Sequence, residues 1–217
     1  QLGEQQRIFS GFDPQLVADY RKNFELSRLL LIAVNKDELS LRFQPKVNIE
    51  TGQVHSAEAL IRWYEPSKYG WVPPAHFIPI AECDGQIIPI GRWVISQSCK
   101  TLKYWGDNNI GVNVLAINLS ARQLKDDPGL IDYVLECLSC NGLESSQLVF
   151  ELTETYLIED FSACEQQLKR LKKLGVKLLI DDFGVGYSSL GYLSKLPVDG
   201  VKLDKALITD IESSLAM

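Results

Sequence analysis

The sequence predicts an α/β fold built on a mostly parallel sheet, and three observations predict it. Short apolar runs recur, and each closes on polar residues: Val114-Leu115-Ala116-Ile117 before Asn118, Val149-Phe150 before Glu151, Val176 to Ile180 before Asp181-Asp182, and Val201 to Leu203 before Asp204. Stretches with helical apolar spacing separate these runs, and strand, polar end, helix, strand is the rhythm of a parallel sheet. The first two strand-like runs are instead joined by a short turn. Parallel neighbours need a crossover of about a dozen residues, so that pair must be an antiparallel hairpin.

The elements follow in order. Residues 1–38 read as a helical connector. Asp13 serves as the cap and Pro14 as the first turn, and Leu16, Tyr20, Phe24, Leu29, Leu30 and Val34 continue an apolar face. Such a helix packs on the following domain or joins it to one upstream. Leu41 to Val47 is the first strand, Glu50-Thr51-Gly52-Gln53 the turn, and residues 55–63 the second strand. A Pro- and Gly-bearing loop precedes helices at 75–82 and 91–105. The third strand ends at Asn118. A helix from about Pro128 stops at Gly142, and the fourth strand covers 147–152. The next helix, 162–174, carries Lys169, Arg170, Lys172 and Lys173 near its end, a solvated face that suits the helix dipole. The fifth strand ends at Asp181. A helix at 188–194 leads to the sixth strand, and a last helix starts near Lys205. A closed barrel of this type takes eight strands in about 250 residues. The expectation here is six, with the last strand–helix units absent.

Composition narrows the function. The chain has 217 residues, 46% of them hydrophobic, and a formal net charge of −6. This suits one globular domain with an ample core, and argues against wrapping long nucleic acid. No apolar run approaches the ~18 residues of a membrane span. Five cysteines and two histidines make neither a disulfide framework nor a zinc site, even at Cys137-Leu138-Ser139-Cys140. Cys83, Cys99 and Cys164 read as small core residues in helices, and a reducing cytoplasm is the expected compartment. There is no GxSxG or Walker loop, and neither histidine has the setting of a base.

The polar strand ends carry the chemistry. Asp181-Asp182-Phe183-Gly184-Val185-Gly186 taken alone could be an exposed turn. Four strands with polar ends make a shared site the better reading, because such sheets collect ligand-binding residues at the C-terminal ends of their strands. Packed carboxylates repel one another, and a hard divalent cation with oxygen ligands relieves that cost. In Glu58-Ala59-Leu60-Ile61-Arg62-Trp63, alternation sends Glu58, Leu60 and Arg62 to one face. Glu58 is then either half of a cross-strand ion pair or one more oxygen ligand, and Arg62 can meet a phosphate with its planar fork. Lys202, in an apolar strand, either pairs with Asp204 or joins the site. Acids, a lysine and an arginine together suit metal-assisted hydrolysis of a phosphate ester.

These motifs, in order from Leu39 to Ala206, resemble the EAL domain family. The resemblance rests on Gln44-Pro45, Glu58 to Trp63, Phe77-Ile78-Pro79-Ile80-Ala81-Glu82, Asn118-Leu119-Ser120, Glu151-Leu152-Thr153-Glu154, Asp181 to Ser189, Leu196-Pro197-Val198-Asp199 and Lys202-Leu203-Asp204. It implies a modified TIM (β/α) barrel with an antiparallel first strand, here truncated before the last two strands. It divides the chain into a connector (1–38) and a C-terminally incomplete EAL domain (39–217). It implies hydrolysis of cyclic di-GMP to linear pGpG with one or two Mg²⁺ or Mn²⁺ ions. Glu58, Asn118, Glu151, Asp181 and Asp182 resemble the metal ligands, and Lys202 the lysine that positions the attacking water beside Glu58. Gln44, Leu60 and Arg62 resemble substrate contacts, and Glu154 the glutamate that steadies the loop over 183–189. The first segment is similar to the connector after a GGDEF domain. An upstream GGDEF or sensory domain and a homodimer through the EAL domain are the partners the resemblance admits.

Two departures stand out. Val185 replaces the usual Thr, and the chain stops at Met217, before a further glutamate and glutamine of the family. A fragment of a longer protein is the expectation, since an open barrel would expose strand edges. The competing functions are a non-catalytic cyclic di-GMP receptor and a protein-interaction module that binds no nucleotide.

Overall fold

The apolar runs pair into a single sheet. The computed structural model describes residues 14–153, 161–184 and 196–206, with only the backbone described at 161–164. Among them are strands β1 (Leu39–Val47), β2 (Val54–Glu65), β3 (Gly70–Val72), β4 (Val114–Asn118), β5 (Leu148–Thr153), β6 (Lys177–Phe183) and β7 (Gly200–Leu203). The sheet order is β1-β2-β4-β5-β6-β7, with β3 beside β2. β1 runs antiparallel to β2, and β2, β4, β5, β6 and β7 are parallel. The α/β class and the antiparallel first strand therefore stand. The hairpin turn is tied by Asn48, whose Oδ1 accepts from the backbone N–H of Glu50 and Thr51, and Gly52 supplies a left-handed φ of 68°.

Helices α1 (Pro14–Ala33), α2 (Pro74–Asp84), α3 (Ile87–Asp107), α4 (Ala121–Asp126), α5 (Leu130–Asn141) and α6 (Phe161–Leu174) complete the described elements. Helix α3 buries Ile87, Ile90, Gly91, Val94, Ile95, Cys99 and Leu102, the stripe of an amphipathic helix. A Cβ at Gly91 would lie 1.7 Å from the Gln123 amide nitrogen of α4, so any larger residue there displaces the side chain that completes the α4 capping box. Gly142 ends α5 in left-handed conformation, as expected. β5 is buried from Leu148 to Leu152, the pattern of a strand covered on both faces. On the helix-facing side of β2, Trp63 is fully buried and meets Phe77 of α2 edge-on at 5.6 Å. Burial of each such ring contributes roughly 1.5–3 kcal/mol.

Several expectations need correction. The loop after Trp63 contains β3, and the β2–β3 turn is knotted by Glu65. Its buried carboxylate accepts from the backbone N–H of Ser67, Lys68 and Tyr69 and from the Ser67 hydroxyl. Helix α4 follows β4 directly, capped by a box of Ser120 and Gln123. The apolar face read along α1 is buried only at its end, at Leu26, Leu30 and Ala33, while Leu16, Tyr20 and Phe24 are exposed. Glu25 of α1 ties that helix to the β2–β3 turn, accepting from Lys68 Nζ and Tyr69 Oη at 2.6 Å each. Cys83 is exposed and Cys99 is buried. Lys172, read as part of a solvated face, pairs with Asp199 at 2.5 Å, and Asp199 in turn accepts from the Leu178 N–H. The cap at Asp13, the helix at 188–194, Glu154 and Val185 lie outside the described residues, as does the Cys164 side chain.

Candidate metal centre

Strand register assembles the site. Partners directly across a sheet point to the same side, and alternate residues share a face. Glu58 lies opposite Ala116, two residues before Asn118; Asn118 lies opposite Glu151, and Glu151 opposite Leu179, two residues before Asp181. Leu179 in turn faces Gly200, two residues before Lys202. One face of the sheet thus presents Glu58, Asn118, Glu151, Asp181 and Lys202, drawn from five strands.

These side chains meet. Lys202 Nζ donates to Asp181 Oδ2 at 2.8 Å, Glu151 Oε2 at 2.6 Å and Glu58 Oε2 at 3.0 Å. The alternative partner, Asp204, gives way to this three-carboxylate cage. Burial alone lowers the Lys202 ammonium, but bonds to Asp181, Glu151 and Glu58 outweigh it and hold the group well above the ordinary lysine range. Oxygens of Glu58, Glu151 and Asp181 lie within 4.8 Å of one another. Glu151 is 1% exposed. Burial raises the Glu58 carboxyl, yet hydrogen bonds from Asn118 and Lys202 and the nearby charge of Lys46 leave it below the usual carboxylate range.

Asn118 sits at the rim, its Nδ2 donating to Glu58 Oε1 at 2.9 Å. Ser120, two residues on, donates to Glu82 at 2.7 Å, which anchors the rim to α2. Asp182 is exposed, in left-handed backbone with φ 53°, and contributes no oxygen to the three-carboxylate group. Burial, then the charges of Asp181, Asp204 and Glu58, raise its carboxyl. Gln44 lies directly opposite Glu58 on β1. Leu60 and Arg62 follow Glu58 on the same face and border a cavity of about 290 Å³ walled by Ile78, Ile87 and Ile90 and reaching Asn118. Arg62 Nη1 donates to the Ile61 carbonyl at 2.8 Å.

Lys46 belongs to the site and was not anticipated. It stands two residues beyond Gln44 on β1 and pairs with Glu151 Oε1. Glu151 therefore holds one ammonium on each oxygen. The signal was present in the alternation of Gln44 and Lys46.

The donor set fits a hard divalent cation. It offers convergent carboxylate oxygens, buried at Glu151 and half-buried at Glu58 and Asp181, balanced by cations, and no sulfur or imidazole.

The comparisons agree with this architecture. Cyclic di-GMP phosphodiesterase PdeR of Escherichia coli is 37% identical over 203 residues, 94% of this chain and 30% of its own length. The bifunctional diguanylate cyclase/cyclic di-GMP phosphodiesterase MucR of Pseudomonas aeruginosa is 37% identical over 200 residues, covering 92% and 29%. The chain thus spans less than a third of these relatives. The solved structure of the PaMucR phosphodiesterase in complex with c-di-GMP superposes with a TM-score of 0.78 at 38% identity, over 87% of this chain and 75% of that one. The sheet is accordingly TIM-barrel-like. The EAL domain profile matches residues 27–216, and the chain belongs to the EAL domain family.

Proposed function

We propose that this domain is a metal-dependent phosphodiesterase that hydrolyses cyclic di-GMP to linear pGpG. The carrying observation is the convergence of Glu58, Glu151 and Asp181 on one cation-sized position, occupied by the Lys202 ammonium. Glu58, Glu151 and Asp181, with Asn118 and Asp182 at the rim, would hold Mg²⁺ or Mn²⁺, one ion or two. A bound ion of this type supplies a water of lowered pKa and stabilises charge on the phosphoryl oxygens.

The chain's own groups do the rest. Lys202, released from part of its cage, donates a hydrogen bond to the attacking water and keeps positive charge beside the phosphate. Glu58, held ionised by Asn118 and Lys202, orients that water. Arg62 offers its free N–H groups to phosphate oxygens in a bidentate fork. Gln44 and Leu60 flank the ring of the substrate. An upstream GGDEF or sensory domain joined through α1 is supported by the bifunctional name of MucR.

Incubation with cyclic di-GMP and Mg²⁺ tests the reading. The expected result is pGpG, with Glu58→Ala lowering turnover by about a thousandfold or more. Wild-type rates in Glu58→Ala would overturn the ligand assignment. Calorimetric heat with cyclic di-GMP and Ca²⁺, but no product with Mg²⁺, would move the domain to the receptor class.

A further inference from the structure

The face that carries Glu58 does not end at Arg62. Tyr64 follows on the same side of β2, and Trp71 of β3 lies directly opposite it. On the other flank, Arg42 of β1 lies opposite Leu60. From Glu58 to Tyr64 is six residues of strand, about 20 Å at ~3.3 Å per residue. Along this track Arg42, Arg62, Trp71, Val72, Pro73 and Pro74 enclose an open pocket of about 460 Å³. Trp71 is 56% exposed. Neither Arg42 nor Arg62 has a carboxylate partner among the described residues.

We propose that Arg42 and Trp71 form the outer half of the dinucleotide site and set its affinity. The inference rests on the function proposed above. A cyclic dinucleotide carries two phosphates and two bases. With one phosphate over the carboxylates near Glu58, the strand face from Leu60 to Tyr64 offers the rest of the ring a continuous track. Two guanidinium groups without a carboxylate suit the second phosphate. An exposed indole suits the base next to it, because every base has a stacking face.

The pocket is built in advance. Trp71 meets Tyr64 edge-on at 5.1 Å, which sets the plane of the indole. The Glu65 knot fixes the turn between the two strands that carry this pair. A rigid platform loses little freedom on binding. The neighbouring 290 Å³ cavity shares Arg62 but adds no second cation and is lined by Glu82, so the second phosphate is better met where Arg42 and Arg62 stand together.

Calorimetry with cyclic di-GMP in Ca²⁺ tests the proposal on wild type, Arg42→Gln, Trp71→Ala and Trp71→Phe. Arg42→Gln and Trp71→Ala each weaken affinity about tenfold, and Trp71→Phe restores most of the loss. The Arg42→Gln deficit shrinks as salt is raised, and the Trp71→Ala deficit does not. Wild-type binding with both variants within about twofold of it overturns this proposal and leaves the phosphodiesterase reading intact. A wild-type protein that neither binds nor cleaves cyclic di-GMP overturns both.

Discussion

The two faces of β2 are built from one stretch of twelve residues and do opposite things. On one side Ala57, Ala59, Trp63 and Glu65 are buried against helices and a turn, and on the other Glu58, Leu60, Arg62 and Tyr64 face the site. The difference teaches how cheaply a sheet separates stability from chemistry. Alternation keeps Glu58 and Arg62 off the core face, and the charge that does lie on that face, Glu65, is satisfied by the β2–β3 turn. Other strands of the sheet then supply the compensating groups, Lys202 from β7 paired with Glu58 and Lys46 from β1 paired with Glu151.

Paired substitutions across the strand sharpen this contrast. The largest effect belongs to the site face, where Glu58→Ala abolishes cyclic di-GMP turnover yet shifts unfolding free energy by only about 1 kcal/mol in a urea titration. Comparable losses of fold and function in that variant would break the comparison. Trp63→Ala, one face over, costs about 3–5 kcal/mol in the same titration, because a fully buried ring leaves a cavity.

A smaller effect comes from the end of the strand. Burial pushes the Glu65 carboxyl up, but bonds from Ser67, Tyr69 and Lys68 outweigh it and bring its pKa to about 2, from an ordinary 4.5. A folded-state pKa below the unfolded one gives stability that is full above pH 4.5 and is lost as pH falls towards 2. Glu65→Gln therefore lowers stability at neutral pH by about 1–3 kcal/mol, and the gap to wild type closes as the solution is acidified through that window. Thermal melts from pH 7 to 2.5 measure it; a gap independent of pH would remove Glu65 from the account.

Much of this was legible in the sequence, for identifiable reasons. The parallel strands announced themselves as apolar runs with polar ends, and the ends of four of them meet at Lys202 or border its cage. Glu58 was legible because a charge inside an apolar strand demands an explanation. Other features were too short or too non-local. β3 spans three residues, below any period. α4 has six, and only its Ser120–Gln123 spacing marked it. Leu16, Tyr20 and Phe24 are exposed because burial depends on what packs beside α1, which an apolar stripe does not contain. Nothing in the sequence beyond strand alternation marks Lys46 and Arg42. Their place became evident from their cross-strand partners, Ser56 and Leu60.

The central claim is that acids from separate strands hold one cation, and binding of Mn²⁺ followed by paramagnetic resonance tests it most directly. Wild type should take up the ion, and Glu58→Ala, Glu151→Ala and Asp181→Ala should each weaken uptake about tenfold or more. Unchanged Mn²⁺ affinity across all three variants would contradict it.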